Sequence, residues 1–519
     1  MGILRVIFFF RILRFMRYVP LIFLSVLGGS LIFLQIQKFG PFVSPDGVKY
    51  LLIAESLRKG LGFCIKDADG CNFESHWAPG FSVLLSLFPN HTLLNVLLAS
   101  LSVFLLGLLL LNITRSILIT TIYTLTFILS PTFLKNFSFL FSETLYIPML
   151  LLALIFLKEY VEKRDLKHLL VLSILVGLGN LVRYANLFSV AVILILLLIY
   201  GVKFRDILIF LFFSLIPFLA WQVFSSLQGE PVRELALHFP SDFHYQVLWE
   251  TLNGYVFPPY SDELKVVILV PILVFLLLST FREKRTAILI LGFVLVKIIK
   301  THIHYEILIL FFFSALFLLL IYRDLEVWGR ILIWFLLGYL VFLFLSISFM
   351  DFHTLPDIRI MSPFFVIFLL LLSLVRSKFL PLPFLFSYSV FAINFINEKR
   401  LNGDGLKAPY WANLDILEDV RKLPKSAYVY SNVPEILYLH AGIYASFLPR
   451  AFNPNSNREN KKFMIEIREM AERIKRKDGF LVIIRPFRRY YLPSEEDLKR
   501  ILPLQIYSER RDGAIYKIR

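Results

Sequence analysis

Charge is scarce in this chain. Charged residues are 18% of its 519, against about 25% in an ordinary soluble protein. That deficit, beside 58% hydrophobic residues, excludes a single soluble domain, a disordered chain and a coiled coil. Cysteine is nearly missing, with only Cys64 and Cys71. A cleavable signal pattern is missing too: the basic start runs straight into a full-length apolar span without a small-residue cleavage site, and so reads as a signal anchor. No internal repeat or low-complexity linker stands out. What is abundant is apolar sequence without a polar face, as in "LLNVLLASLSVFLLGLLLL". Mean hydropathy is +0.72, and runs of about 20 apolar residues fit the roughly 30 Å hydrocarbon thickness. The chain reads as a polytopic membrane protein. Its 54 Lys+Arg exceed 38 Asp+Glu, giving +16, which points first to basic inner loops and anionic lipid; no nucleic-acid partner is expected.

The apolar runs give thirteen spans: 18–37, 88–111, 117–133, 141–157, 168–182, 185–200, 207–224, 265–280, 286–300, 303–322, 331–350, 360–375 and 379–396. Arg5, Arg11, Arg14 and Arg17 put the N-terminus in the cytoplasm. Every loop then expected inside is basic: Arg115; Lys158, Lys163, Arg164 and Lys167; Lys203 and Arg205; "REKR" at 282–285; Arg323 and Arg330; Arg376 and Lys378. An odd count sends the C-terminus outside. Residues 1–396 form the transmembrane domain, and 397–519 an external soluble domain. That tail carries 24 Lys+Arg and 16 Asp+Glu. Its strand-like runs ("AYVYSN", "GFLVIIR", "AIYKIR") and a helical pattern near 458–476 predict a small α/β fold. Its basic surface suits either anionic headgroups or plain solvent.

The first outer loop, 38–87, is too polar to span. Residues 48–59 have helical period, with Tyr50, Leu51, Ala54 and Leu57 on one face and Lys49, Glu55, Arg58 and Lys59 elsewhere, which suits a helix lying on the outer membrane surface. Asp46 precedes it and can be read as its cap or as a functional carboxylate. Both cysteines lie in this loop, and an oxidising exterior would join them. The "DADG" between them has a faint calcium-loop look, but the other ligands are missing and a turn is the better reading. A second outer loop, 224–264, is rich in aromatics and reads either as a cover for a pocket or as an interfacial belt.

"SPDGVKYLLIAESLRKGLGF" followed by "HWAPGF" resembles the first external loop of GT-C-type glycosyltransferases, membrane enzymes that take a sugar from a polyprenyl-phosphate carrier. The likeness rests on Asp46, Tyr50, Ala54, Gly60, Gly62, His76, Trp77, Pro79, Gly80 and Phe81, with Ala78 in place of the usual proline. "SETLYIPMLLLALIFL" (142–157), "GLGNLVRYANLFSVAVILILLL" (177–198), "DIRIMSPFF" (357–365) and "VYSNVPEILYLHAG" (429–442) resemble further family segments in order, with Ile360 where an aromatic is usual. Aminoarabinose lipid A transferases and protein O-mannosyltransferases are the distant cousins.

The resemblance implies a mainly α, GT-C-like membrane fold and transfer of a monosaccharide from a polyprenyl-phosphate donor to an outer hydroxyl on a lipid, glycan or protein. Such a reaction needs a carboxylate near the acceptor and cations near the phosphate, at the membrane boundary. By the resemblance Asp46 is the general base. Glu143, charged at the edge of hydrocarbon, is a second acid or metal ligand, or simply a carboxylate favoured at a helix start. Arg183 and Arg359 suit the carrier phosphate or snorkelling to headgroups, with Lys297 and Lys300 as further candidates. Tyr50 and His76 are expected to line the substrate site. Glu74 and His76, with His302, His304 and Glu306, have side chains able to hold a divalent cation, or to be hydrogen-bonded at the interface. The location implied is the plasma (inner) membrane. A transporter would share the hydropathy but would show matched halves and polar groups at mid-bilayer; a glycan polymerase or ligase is the nearest enzymatic alternative.

Overall fold

The computed structural model describes residues 18–228, 240–256, 326–349, 354–453 and 458–519. The expected spans 265–280, 286–300 and 303–322 lie outside the described residues, as do Lys297, Lys300, His302, His304, Glu306 and the arginines of the N-terminal cluster. Among the described residues, five helices are long and apolar enough to cross a membrane: Val19–Ile36, His91–Thr114, Glu143–Lys163, Phe204–Leu227 and Val327–Phe349. Shorter apolar helices are Leu166–Val182, Leu187–Ile199 and Ser362–Ser373. The run expected as one span at 117–133 is broken. Ile117–Leu129 and Pro131–Ser138 meet at 53°, because Pro131 has no amide to continue the ladder and the Ser130 hydroxyl instead caps the second helix from Phe133 N at 3.1 Å.

The basic turns share one end of the bundle. Arg115, Arg164 and Arg376 sit there in the left-handed region, at φ 57°, 56° and 55°, where glycine is the unstrained choice. Two of them hold neighbouring turns with their side chains. Arg164 donates to the Tyr200 carbonyl at 2.6 Å and Arg376 to that of Ile113 at 3.3 Å. Glycine could do neither.

At the opposite end, backbone hydrogen bonds sew distant segments together. Phe42 N donates to Ser138 O (2.8 Å), Leu140 N to Phe42 O (2.9 Å) and Leu406 N to Val43 O (2.7 Å). The first-loop helix, Pro45–Arg58, leaves this seam and is followed by an antiparallel hairpin of β1 (Cys64–Asp67) and β2 (Gly70–Phe73). Cys64 and Cys71 are joined by a disulfide within it. "DADG" is a turn: Asp67 Oδ1 accepts from the amides of Asp69 (2.8 Å) and Gly70 (3.1 Å).

The tail folds on a five-stranded sheet, with β3 (Val429–Ser431), β4 (Ser446–Phe447), β5 (Phe480–Ile484), β6 (Leu504–Arg510) and β7 (Gly513–Ile518) in the order β4-β3-β5-β7-β6. β3 is parallel to β4 and β5, and β7 is antiparallel to β5 and β6. Every residue of β5 is buried. Its period-2 alternation sends Phe480, Val482 and Ile484 into a core continuous with the membrane bundle, and Leu481 and Ile483 into a second core with Ile467, Met470 and Ile474 of helix Phe463–Arg476. The tail is thus packed onto the bundle through one face of its sheet.

That packing changes the expectation for the first-loop helix. It does not lie free on a membrane surface. Val48, Tyr50, Leu52, Ile53 and Ala54 are all buried, around most of its circumference, because the tail covers what the bundle leaves. Glu55, expected on an open face, accepts from Tyr438 at 2.8 Å and Tyr444 at 2.7 Å.

Candidate active site

Ser44, not Asp46, caps the first-loop helix. Its hydroxyl accepts from Gly47 N at 3.1 Å, with Pro45 at the first helical position. Asp46 is therefore released from capping, and its carboxylate reaches across to the bundle. Gly47 fits because the helix start lies against the seam: a Cβ there would stand 3.1 Å from Leu140 O.

Four charged side chains from four distant parts of the chain meet here. Arg359 donates through Nη1 to Asp46 Oδ2 at 2.6 Å and through Nε to Glu143 Oε1 at 2.7 Å. Arg183 forms an ion pair with the same Glu143 oxygen. The order is Arg183, Glu143, Arg359, Asp46, with charges alternating. Glu143, the first residue of helix Glu143–Lys163, has a fully buried side chain, whereas 31% of the Asp46 side chain is exposed. Ser142 Oγ donates to the other Glu143 oxygen at 3.2 Å, and the Arg359 guanidinium lies 4.4 Å from the Phe141 ring centre. Burial works against the charge on Arg359, but Glu143 and then Asp46 outweigh it and raise its pKa. The arrangement can do two things: hold one buried ion pair rigid, and present one accessible carboxylate at a fixed place.

Tyr50 is one turn beyond Asp46 and buried, with its ring edge-on to Trp77 (5.7 Å) and Phe81 (5.1 Å). Burial, ahead of the lowering influence of Arg359, pushes its phenol up to about 12. His76 meets Trp77 edge-on at 4.5 Å, and its amide donates to Glu74 Oε1 at 2.9 Å. Among the described residues no group of three or more His, Cys, Asp or Glu is arranged to hold a metal ion. Gly80 in the "HWAPGF" run has a physical reason: a Cβ there would come within 2.9 Å of Leu181 O, beside Arg183.

The structure is similar to the crystal structure of ArnT from Cupriavidus metallidurans, determined bound to undecaprenyl phosphate, with a TM-score of 0.50, 12% identity, and coverage of 95% of this chain and 97% of that one. The fold is ArnT-like. By sequence, no family model and no curated protein matches the chain.

Several residues of this site carry no strong local signal. Tyr184, next to Arg183, donates to Ser75 O at 2.8 Å and accepts from Trp221 Nε1 at 2.7 Å, tying the first loop to two helices. Asn186 accepts from Tyr146 OH (3.1 Å) and donates to Asn180 Oδ1 (3.0 Å) and Val176 O (2.9 Å), which fixes the turn that carries Arg183. Asp357 accepts from Ile360 N at 2.9 Å and shapes the Arg359 loop, while Tyr339 donates to Ile360 O. For Tyr184, Asn186 and Asp357 the local hint is their place beside a candidate arginine. In the second outer loop, helix Asp242–Val256 is described, and the Tyr388 hydroxyl donates to Tyr255 O.

The hairpin docks the tail. Asp69, at its tip, accepts from Tyr430 (2.8 Å), Ser446 (3.0 Å), Tyr428 and Arg473 (3.3 Å). Burial alone would raise the Asp69 pKa, but these donors outweigh it and hold the carboxyl below its usual range.

Proposed function

We propose that the protein is a glycosyltransferase that moves a monosaccharide from a polyprenyl-phosphate carrier to an external hydroxyl on a lipid, glycan or protein. The observation that carries this reading is the accessible Asp46 carboxylate, fixed by Arg359 against the buried Glu143–Arg183 pair. The ArnT-like fold, in a relative crystallised with undecaprenyl phosphate, supports a carrier of that class.

In this mechanism Asp46 takes the proton of the acceptor hydroxyl as its oxygen attacks the anomeric carbon. The sugar–phosphate bond breaks, and the electron pair leaves with the carrier phosphate. A single displacement of this kind inverts the anomeric centre. Glu143 acts through Arg183 and Arg359: it keeps both guanidiniums beside Asp46, where their positive charge would offset the charge developing on the phosphate. Tyr50 and His76 line the sugar side. A divalent cation, for which the sequence candidates are Glu74, His302 and His304, would belong to the same proposal, and sugar transfer before and after chelation tests it.

The main test is the purified chain in nanodiscs with radiolabelled polyprenyl-phosphate sugars and membrane extracts as acceptor. Asp46→Asn should lower transfer about 10²- to 10⁴-fold, the usual contribution of a general base, while undecaprenyl phosphate binding is retained. Transfer at the wild-type rate by Asp46→Asn would sink the assignment.

A further inference from the structure

The run "GDGLKAPYW" (403–411) takes no part in the pairing of Asp46, Arg359 and Glu143, yet it stands beside it. It follows helix Leu382–Asn402 and opens on two glycines in the left-handed region, Gly403 at φ 66° and Gly405 at φ 60°. Gly405 has no room for a side chain: a Cβ would stand 2.4 Å from Val43 O. That close approach lays the run against the segment just ahead of the first-loop helix. Pro409 then starts a single helical turn, Pro409–Ala412, which carries Tyr410 and Trp411.

Between the run and that segment lies a cavity of about 430 Å³, within the roughly 300–1,000 Å³ of small-ligand sites. Ser44 and Pro45 line it from one side, and Asp404, Tyr410 and Trp411 from the other. Pro45 adjoins Asp46, so the cavity wall ends one Cα step, about 3.8 Å, from the residue with the accessible carboxylate. The lining chemistry narrows the occupant. Among the described residues that line the cavity there is no Lys or Arg, and Asp404 is the charged one. A phosphate there would meet a carboxylate and no cation. A hydrocarbon chain would leave polar groups without partners. Asp404 is 30% exposed and accepts from Gly405 N at 2.7 Å and Lys399 Nζ at 3.1 Å, which leaves lone pairs on both oxygens. The Tyr410 ring is 59% exposed and edge-on to Trp411 at 4.9 Å. Phe487, 5.5 Å away, backs the Trp411 ring. The aromatic pair is therefore a preset shelf with a hydroxyl and an indole N–H at its edges. A pyranose ring matches all of this: its C–H face packs on an aromatic ring, and its hydroxyls donate to a carboxylate and accept from an N–H.

We propose that this cavity is a subsite for a neutral saccharide ring, which packs on Tyr410 and Trp411 and donates hydroxyls to Asp404. It rests on the transferase reading only in making that saccharide part of a substrate. Two sources share the chemistry: the sugar carried by the donor, and a sugar already present on the acceptor.

The experiment measures binding of the methyl glycosides of glucose, galactose, mannose and N-acetylglucosamine to the full chain in nanodiscs by saturation-transfer NMR. At least one should bind. Tyr410→Ala should weaken it about two- to tenfold, the range for one aromatic contact, at an unchanged melting temperature, and Tyr410→Phe should retain most of the affinity. Asp404→Asn, which removes a charged acceptor, should weaken it about tenfold. Tyr507→Ala, which removes an equally exposed ring on β6, should leave it unaltered. In the transfer assay, a rise in the half-saturating amount of membrane extract for Tyr410→Ala assigns the subsite to the acceptor, and a rise in KM for the carrier-linked sugar assigns it to the donor. Glycoside binding that ignores both Tyr410→Ala and Asp404→Asn, equal weakening by Tyr507→Ala, or a wild-type chain that binds no glycoside would overturn the proposal. So would a Tyr410→Ala chain whose only defect is poorer insertion into phosphatidylglycerol vesicles, the mark of an interfacial aromatic belt. If glycoside affinity follows Tyr410 and Asp404 but no sugar is transferred, the subsite stands and the transferase reading fails.

Discussion

Asp69→Ala removes the peg on which the tail is docked. The carboxylate accepts from the hydroxyls of Tyr430, Ser446 and Tyr428, and from Arg473. Hydrogen bonds to a charged group contribute about 1.5–3 kcal/mol each. Arg473 is 44% exposed, so solvent screening leaves it little. Tyr428 and Tyr430 lie 3.4 Å apart and can bond each other once the carboxylate is gone. Counting roughly two of the three hydroxyl contacts gives a loss of about 3–6 kcal/mol from docking. The assay is hydrogen exchange on the full chain in nanodiscs. Protection should fall across 64–73 and 428–447 while helix His91–Thr114 keeps its protection. The pH dependence has a definite sign. The folded carboxyl is held below its unfolded value of about 3.9, so its contribution is complete above that value and is lost as pH falls through the folded pKa. Asp69→Asn should remove that acid sensitivity. Unchanged exchange in 428–447 for Asp69→Ala would refute the reasoning, since Asp69 is the hairpin carboxylate that accepts hydrogen bonds from the tail sheet.

Three further outcomes are expected. Glu143→Gln leaves Arg183 and Arg359 without their shared buried counter-charge, and should cost roughly 3–5 kcal/mol, read as a fall in melting temperature larger than that of Asp46→Asn; equal falls would show that the buried pair is not the anchor. Cys64→Ser with Cys71→Ser opens a short ring, and should cost up to about 2–3 kcal/mol with exchange rising in the hairpin first; rising first in the tail sheet would contradict the docking order. Gly80→Ala drives a Cβ against the Leu181 carbonyl and should destabilise by about 1–3 kcal/mol. Because Leu181 precedes Arg183, transfer should fall with stability, and loss of neither would mean that the two helices can part freely.

The membrane class and the order of most helices were legible in the sequence because hydropathy is a local property: about 20 apolar residues in a row state their environment wherever they sit. The break at Ser130–Pro131 was not read, although proline is a local signal, because the apolar run continues across it. The Cys64–Cys71 ring and the turn at "DADG" were equally local. Whether Asp46 caps its helix was not legible, since Asp and Ser are both good caps and only the structure shows Ser44 taking that place.

What the sequence alone determined, then, is where the chain is apolar, where it turns and which residue types stand at the ends of the helices. Tertiary structure decided the pairing. Glu143 and Arg359 are 216 positions apart, and Asp46 and Arg359 are 313 apart, so no spacing rule connects them. Their contact follows from helices of different origin ending at one level and from a seam of backbone hydrogen bonds that holds those ends together. Likewise the tail's basic composition could be counted from the letters. Which of its cations meets a carboxylate was settled by packing, as when Glu435 reaches Arg489 at 2.9 Å, because electrostatic partners are selected in space and not along the chain.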